Sequence, residues 1–162
     1  MRIGVVSDTH IPRKARALPE ALLQGLEGVE LIIHAGDINK DYVIYELEEI
    51  AKVEAVAGNT DDDYMAGMLG KKRTVEAGGR RIGVIHGDGP SGTTLERVKK
   101  AFAGEKVDCI VFGHSHIPFN QVIDGVLYFN PGSPTDKRRQ ERFSFGILEV
   151  CGEGIKGDIR FL

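Results

Sequence analysis

The 162-residue chain contains no tryptophan, only two cysteines, no surplus of positive charge and no long apolar run. Each shortage removes a class of function. Aromatic residues make up 7% and the net charge is −3, so the basic, aromatic-lined groove of a nucleic-acid binder is missing. No specific nucleic-acid partner is expected. Cys109 and Cys151 form no Cys-x-x-Cys pair, and both lie in or at the end of apolar, strand-like runs. They read as reduced structural thiols, which makes the cytoplasm the expected compartment. No stretch approaches the roughly 20 apolar residues needed to cross a bilayer. The opening segment has Arg2 as its basic residue and a brief apolar run, Ile3–Val6, too short for a signal peptide. With no repeat, low-complexity tract or linker, residues 1–162 read as one domain.

Glycine is abundant instead, with 21 copies, while 41% apolar and 28% charged residues are ordinary for a globular protein. The glycines imply tight turns and close backbone approaches. Apolar patterning predicts strands over 2–7, 30–34 and 53–57. Helices are predicted over 18–26, with Pro19 in the first turn, and over 41–50, with Asp41 as N-cap. This βαβαβ order predicts an α/β fold with a mostly parallel sheet. Residues 72–77 and 80–86 read as a hairpin around Gly78-Gly79. A helix over 92–103, capped by Ser91 or Thr93, and a strand over 108–112 follow. Hairpins over 120–130 and 143–162 complete the chain, so the second half is expected to be mostly antiparallel.

The reactive side chains share one placement. Asp8 and His10, Gly36-Asp37, Gly58-Asn59, His86, and His114 with His116 each end or follow a predicted strand. Ligands of parallel α/β sheets gather beyond the carboxyl ends of strands. Two carboxylates, one amide and four imidazoles exceed the needs of one four-coordinate zinc. They suit two cations about 3.5–4 Å apart sharing a carboxylate. In an extended segment, Asp8-x-His10 and His114-x-His116 would turn both members toward one site. Gly36, Gly58, Gly87 and Gly113 are expected to turn the backbone sharply beside them. The mixed nitrogen and oxygen set favours Mn, Fe, Co, Ni or Zn. His34, inside the second strand, is expected to be buried and hydrogen-bonded in support of the loop.

In order, spacing and type, these residues resemble the calcineurin-like metallophosphoesterases over residues 1–116. Asn130-Pro131-Gly132-Ser133 extends the resemblance toward the small phosphodiesterase branch of the YfcE type. The resemblance implies a four-layer α/β/β/α sandwich with two mixed β-sheets. It implies that Asp8, His10, Asp37 and His116 hold one divalent cation. Asp37, Asn59, His86 and His114 would hold the other, with Asp37 shared, and Mn heads the candidate metals. Asp37, Asn59 and His114 form the implied catalytic set, with Asn59 and Thr60 touching substrate. The implied reaction is hydrolysis of a small phosphodiester by in-line attack of a water or hydroxide activated at the metals.

One position departs from the family. Many members carry histidine directly after the asparagine as a proton donor, and here Thr60 stands there, followed by Asp61. A hydroxyl is a poor acid near neutral pH, so Thr60 is expected to give a phosphate a hydrogen bond rather than a proton. Asp61 reads as a loop cap. Arg13, Lys14 and Arg16, and the later run Lys137, Arg138, Arg139 and Arg142, read as solvated basic loops. Asn130–Ser133 is expected to pack beneath the metal loops. Rival readings are a protein-interaction scaffold of the Vps29 type, a phosphomonoesterase and a nuclease. Open hairpin edges suit a homodimer.

Overall fold

A computed structural model describes residues 1–162. Two five-stranded sheets lie face to face. The first contains β1 (Arg2–Val6), β2 (Leu31–His34), β3 (Val53–Ala55), β9 (Ser144–Cys151) and β10 (Gly154–Phe161), in the order β10-β9-β1-β2-β3. The second contains β4 (Lys72–Ala77), β5 (Arg80–Ile85), β6 (Cys109–Val111), β7 (Phe119–Ile123) and β8 (Val126–Asn130), in the order β4-β5-β6-β8-β7. Ile3, Val5, Ile33, Val84, Val111, Phe129 and Leu148 meet in the core between them. Helices α1 (Glu20–Gly25), α2 (Tyr42–Glu48) and α3 (Asp63–Leu69) cover the outside of the first sheet through Leu22, Val43, Leu47 and Met65. Helix α4 (Thr94–Ala101) covers the second through Val98, which packs with Phe102, Ile110 and Phe112. The result is the expected four-layer sandwich.

Register carries the fold into the site. In the first sheet Val6 pairs with His34, and His34 with Ala55, so three parallel strands end level. In the second, Val84 pairs with Val111, and Val111 with Phe129. The loops leaving β1, β2, β3, β5, β6 and β8 therefore open along one edge of the sandwich.

Several local expectations change. The second half is mostly antiparallel as expected, through β4–β5, β7–β8, β9–β10 and β9–β1, but β5, β6 and β8 run parallel at the centre of the second sheet. The C-terminal hairpin joins the first sheet, where β9 pairs with β1. Pro19 occupies the N-cap of α1 rather than its first turn, and Asp41 is already helical and caps nothing with its side chain. Of the two caps offered for α4, Thr93 serves, in a reciprocal capping box with Glu96. Helix α3 lies outside the expected elements. Its signals are Asp62, which accepts from Met65 N, and the stop at Gly70. Cys109 is buried and Cys151 exposed, and both are free. No helix is long and apolar enough to cross a membrane.

Candidate metal centre

Asp8 and Asp37 are held in the same way. Asp8 Oδ2 accepts from Ser7 Oγ at 2.7 Å and from His114 N at 3.1 Å. This turns Oδ1 toward three imidazoles, 3.3 Å from His116 Nε2 and 3.8 Å from both His10 Nε2 and His86 Nε2. Asp37 Oδ1 accepts from Thr60 N at 2.9 Å, and Oδ2 lies 3.3 Å from His86 Nε2 and 3.6 Å from His10 Nε2. One oxygen of each carboxylate is thus tied to the fold and the other is presented.

The histidines are oriented from behind. His86 Nδ1 donates to Ala35 O at 2.7 Å and His116 Nδ1 to Asp136 O, so each offers Nε2. His10 and His116 stack with centroids 5.2 Å apart, their Nε2 atoms separated by 3.3 Å. Asp8, His10, His86, His116 and Asp37 are all buried. Burial alone would raise the Asp8 carboxyl, but His116, His86 and the Ser7 hydroxyl outweigh it and hold it below the usual range. Burial is likewise overcome at Asp37, where His86, the Thr60 amide and His10 hold the carboxyl far below its ordinary value. At His86 burial opposes charge, yet Asp37 and Asp8 prevail and lift it to about 9. Burial pushes His10 down against the pull of Asp37 and Asp8.

The donor set fits divalent cations. Asp8 Oδ1 and His86 Nε2 are buried without a hydrogen-bond partner, although His86 Nε2 faces Asp37 Oδ2 across 3.3 Å. Such bare buried atoms are costly unless something occupies the space between them. Two compact groups converge there, Asp8–His10–His116 and Asp8–Asp37–His86, with ligand atoms within 4.8 Å of one another. Asp8 belongs to both, and Asp37 Oδ2 also lies between imidazoles of the two. Asn59 and His114 stand at the rim and join neither group. His114 Nδ1 and Asn59 Oδ1 are hydrogen-bonded to each other at 3.1 Å. Burial and the neighbouring His86 push His114 down.

The ligand pairs are not extended. Asp8, His10, Asp37, His114 and His116 adopt φ of 57°, 46°, 58°, 65° and 59°. This left-handed backbone is unusual for non-glycine residues and is held here by surrounding bonds. Gly36 and Gly87 turn the chain as expected, with positive φ. Gly58 and Gly113 serve otherwise. A Cβ at Gly58 would lie 2.1 Å from Asp37 Oδ1, and one at Gly113 would lie 1.9 Å from Ser7 Oγ. These glycines make room for the carboxylates and their anchors.

Several supporting contacts reach across the sequence. Asp61 binds Asp37 N at 2.9 Å and Gly58 N at 2.7 Å through Oδ2, and Asn39 N at 2.6 Å through Oδ1. It clamps the two loops that carry Asp37 and Asn59 together rather than capping one. Ser133 Oγ donates to Asp8 O at 2.8 Å, and Thr135 Oγ1 to Thr9 O at 2.7 Å. Asn130 Nδ2 donates to Gly113 O at 2.8 Å, so the Asn130–Ser133 turn packs beneath the metal loops. Lys14 pairs with Asp136 at 3.5 Å, and Arg138 Nη1 donates to His114 O at 3.3 Å, while Arg13, Arg16 and Arg139 are exposed.

His34 is fully buried. Its Nδ1 accepts from Gly36 N at 3.2 Å, so the ring proton sits on Nε2, 3.1 Å from Thr9 Oγ1. It links the two loops that carry Asp8 and Asp37. Burial drives its pKa down to about 4. In the unfolded chain the ring protonates near 6.5, so below that pH the unfolded state binds the extra proton. Its contribution to stability is therefore complete above about pH 6.5 and falls away toward pH 4, by roughly 3 kcal/mol. Denaturant midpoints of wild type and His34→Gln across this range check it. The variant should show the shallower acid decline, and parallel curves would contradict the assignment.

Residues 1–153 match the family model for the calcineurin-like phosphoesterase superfamily domain. The chain is 38% identical over 160 residues to a probable metallophosphoesterase of Methanothermobacter thermautotrophicus, covering 98% of this chain and 91% of that protein. It is 30% identical over 146 residues to a phosphodiesterase of Methanocaldococcus jannaschii, covering 82% of this chain and 83% of the relative. Vps29 of Entamoeba histolytica complexed with zinc superimposes with a TM-score of 0.76 over 99% of both chains at 23% identity, a likeness of fold. With its family match over nearly the whole length and its carboxylate–imidazole cluster at one sheet edge, the chain belongs to the calcineurin-like phosphoesterase superfamily.

Proposed function

We propose that the chain is a dinuclear metal-dependent phosphodiesterase acting on small phosphodiesters, with Mn the first candidate metal and Ni, Fe, Co and Zn compatible with the same donors. The observation that carries this reading is the pair of bare, buried atoms Asp8 Oδ1 and His86 Nε2, directed into one space beside Asp37 Oδ2. Asp8, His10, Asp37 and His116 would hold one cation, and Asp37, Asn59, His86 and His114 the other, with Asp37 common to both sets. Asn59 and His114, now hydrogen-bonded to each other, would have to exchange that bond to join the second set. When bound, the cations supply a Lewis-acidic pair that neutralises phosphoryl charge and lowers the pKa of the attacking water. Asn59 and Thr60, at the accessible rim, contact the substrate. Asp37, Asn59 and His114 are the residues closest to the chemistry. The open edges of β7 and β10 offer surface for a homodimer.

The chain supplies no strong acid to the leaving group. Thr60 is a hydroxyl, and the Asp61 carboxylate is occupied by three backbone amides. Rates on aryl phosphodiesters of graded phenol pKa, assayed with Mn before and after chelation, test both parts of the reading. Turnover should vanish on chelation and return with the metal. It should also fall steeply as the phenol becomes less acidic. Chelator-resistant or absent turnover with Asp37 intact would favour a scaffold of the Vps29 type. A flat dependence, with chemistry limiting the rate, would mean that some residue does donate a proton.

A further inference from the structure

We infer that Asn39 is a positioning residue that fixes the direction of the Thr60 hydroxyl, making Thr60 a ready hydrogen-bond donor to the substrate phosphoryl group. The inference deepens the phosphodiesterase reading and rests on it.

Asn39 sits two residues beyond Asp37 and is buried. Its φ of 77° is one that asparagine tolerates better than most residues. Its amide orientation is set by partners that can only accept. Nδ2 lies 3.1 Å from Thr60 O and 3.5 Å from Asp61 Oδ1. Turning the amide over would place its oxygen against both of those oxygens. The same Nδ2 lies 2.8 Å from Thr60 Oγ1. Thr60 Oγ1 must accept that bond.

A ring nitrogen reaches the same oxygen. His10 Nδ1 lies 3.4 Å from Thr60 Oγ1. His10 turns Nε2 into the cluster, and a cation held there would leave the ring proton on Nδ1, facing Thr60. A hydroxyl oxygen has two lone pairs and one proton. Asn39 then takes one lone pair and His10 the other, which would leave the hydroxyl proton only outward directions. Thr60 is half-buried beside exposed Asn59, and its own amide is tied to Asp37 Oδ1. A donor aimed in advance at the place where phosphoryl charge develops stabilises that charge without reorganising.

The test is a double-substitution cycle. Thr60→Val removes the hydroxyl at nearly constant shape. Asn39→Asp keeps the side-chain shape but replaces the amide donor with an acceptor, which draws the Thr60 proton inward. Each should lower kcat about tenfold or more, the worth of a hydrogen bond to a charged group. Cation content should be unchanged, and Thr60→Ser should restore most of the rate. Combined, Asn39→Asp and Thr60→Val should cost no more than Thr60→Val alone, because the two act as one unit. Additive losses, or an Asn39→Asp enzyme as fast as wild type, would overturn the inference. Asn39→Gly provides a second variant if the added carboxylate beside Asp61 impairs folding, since glycine accepts this φ without strain.

The cycle is repeated by calorimetry with inorganic phosphate and the cation-loaded protein. Non-additive losses of affinity support the inference there as well, and additive ones contradict it. Wild-type protein that binds phosphate but hydrolyses no diester would overturn the phosphodiesterase reading. The phosphate cycle would then decide the role of Asn39 separately.

Discussion

Asp37→Asn should abolish metal-dependent hydrolysis, by roughly 10³-fold or more, and release part of the bound metal. The substitution keeps the shape of the side chain, and its amide oxygen can still accept from Thr60 N, as Asp37 Oδ1 does at 2.9 Å. That choice points the new NH₂ group at the place now held by Oδ2, between His86 Nε2 and His10 Nε2. A donor there can ligate no cation, and one of the two carboxylate charges facing the space is gone. Several kcal/mol of charge stabilisation depend on such a ligand, at about 1.4 kcal/mol per tenfold in rate. The lost anion also removes the main partner that lifts His86 to about 9, so its pKa should fall. Activity per mole of enzyme, metal content and an NMR titration of His86 read the three consequences separately. Retained turnover with full metal content would remove Asp37 from the centre.

Asp61→Asn should damage the fold more than any surface substitution. The Asp61 carboxylate receives Asp37 N, Asn39 N and Gly58 N at 2.9, 2.6 and 2.7 Å. An asparagine can direct its oxygen to one side of this clamp only. Its NH₂ group then meets a backbone donor on the other side. One buried donor left facing another costs roughly 1–3 kcal/mol, and weakening the remaining charge-assisted bonds adds a similar amount. A total of about 3 kcal/mol corresponds to a drop in Tm of roughly 6–12 °C for a domain of this size. The loops so loosened carry Asp37 and Asn59, so activity should decline with stability. Thermal unfolding by calorimetry checks this. An unchanged Tm would show that the loops hold themselves in place and that Asp61 is free for another task.

Much of the site can be read from the sequence because its parts are local. Asp8, Asp37, Asn59, His86 and His114 each end or follow a short apolar run, and parallel strands in register carry their ends to one edge. What cannot be read there is non-local. The Asn130–Ser133 motif suggests packing beneath these loops, but nothing specifies that the Ser133 and Thr135 hydroxyls reach the backbone of Asp8 and Thr9, more than a hundred residues away. Nothing near Asp136 shows that its carbonyl orients His116. Asp61 reads as a local cap because acidic residues in Gly-rich turns usually are caps, and only the packing of the β2 and β3 loops makes it a clamp. Asn39 does carry a faint signal, an asparagine two residues after a turn aspartate, suited to left-handed backbone. The two parallel pairings inside the second sheet are hidden in the sequence for a related reason. Hairpins are visible in sequence, whereas the parallel pairing of β6 with β8 depends on β7 lying outside β8 at the sheet edge.

Left-handed backbone at five candidate ligands follows the same logic. An extended Asp-x-His would have been the simpler way to aim two side chains at one site. The chain instead bends at each ligand, and the cost of order 1–3 kcal/mol per strained residue is offset by the bonds of Ser7, Asp61, Ser133 and Thr135 to these loops. Gly58 and Gly113 complete the arrangement by leaving space where any side chain would strike Asp37 or Ser7.

The central claim is that two cations share the space between Asp8, Asp37 and the imidazoles. It is tested most directly by an anomalous difference map from crystals of the Mn-loaded protein. Two peaks about 3.5–4 Å apart are expected, one against His10 and His116 and the other against His86, with a carboxylate oxygen between them. A single peak at full metal loading, or two peaks away from Asp8 and Asp37, would contradict the account.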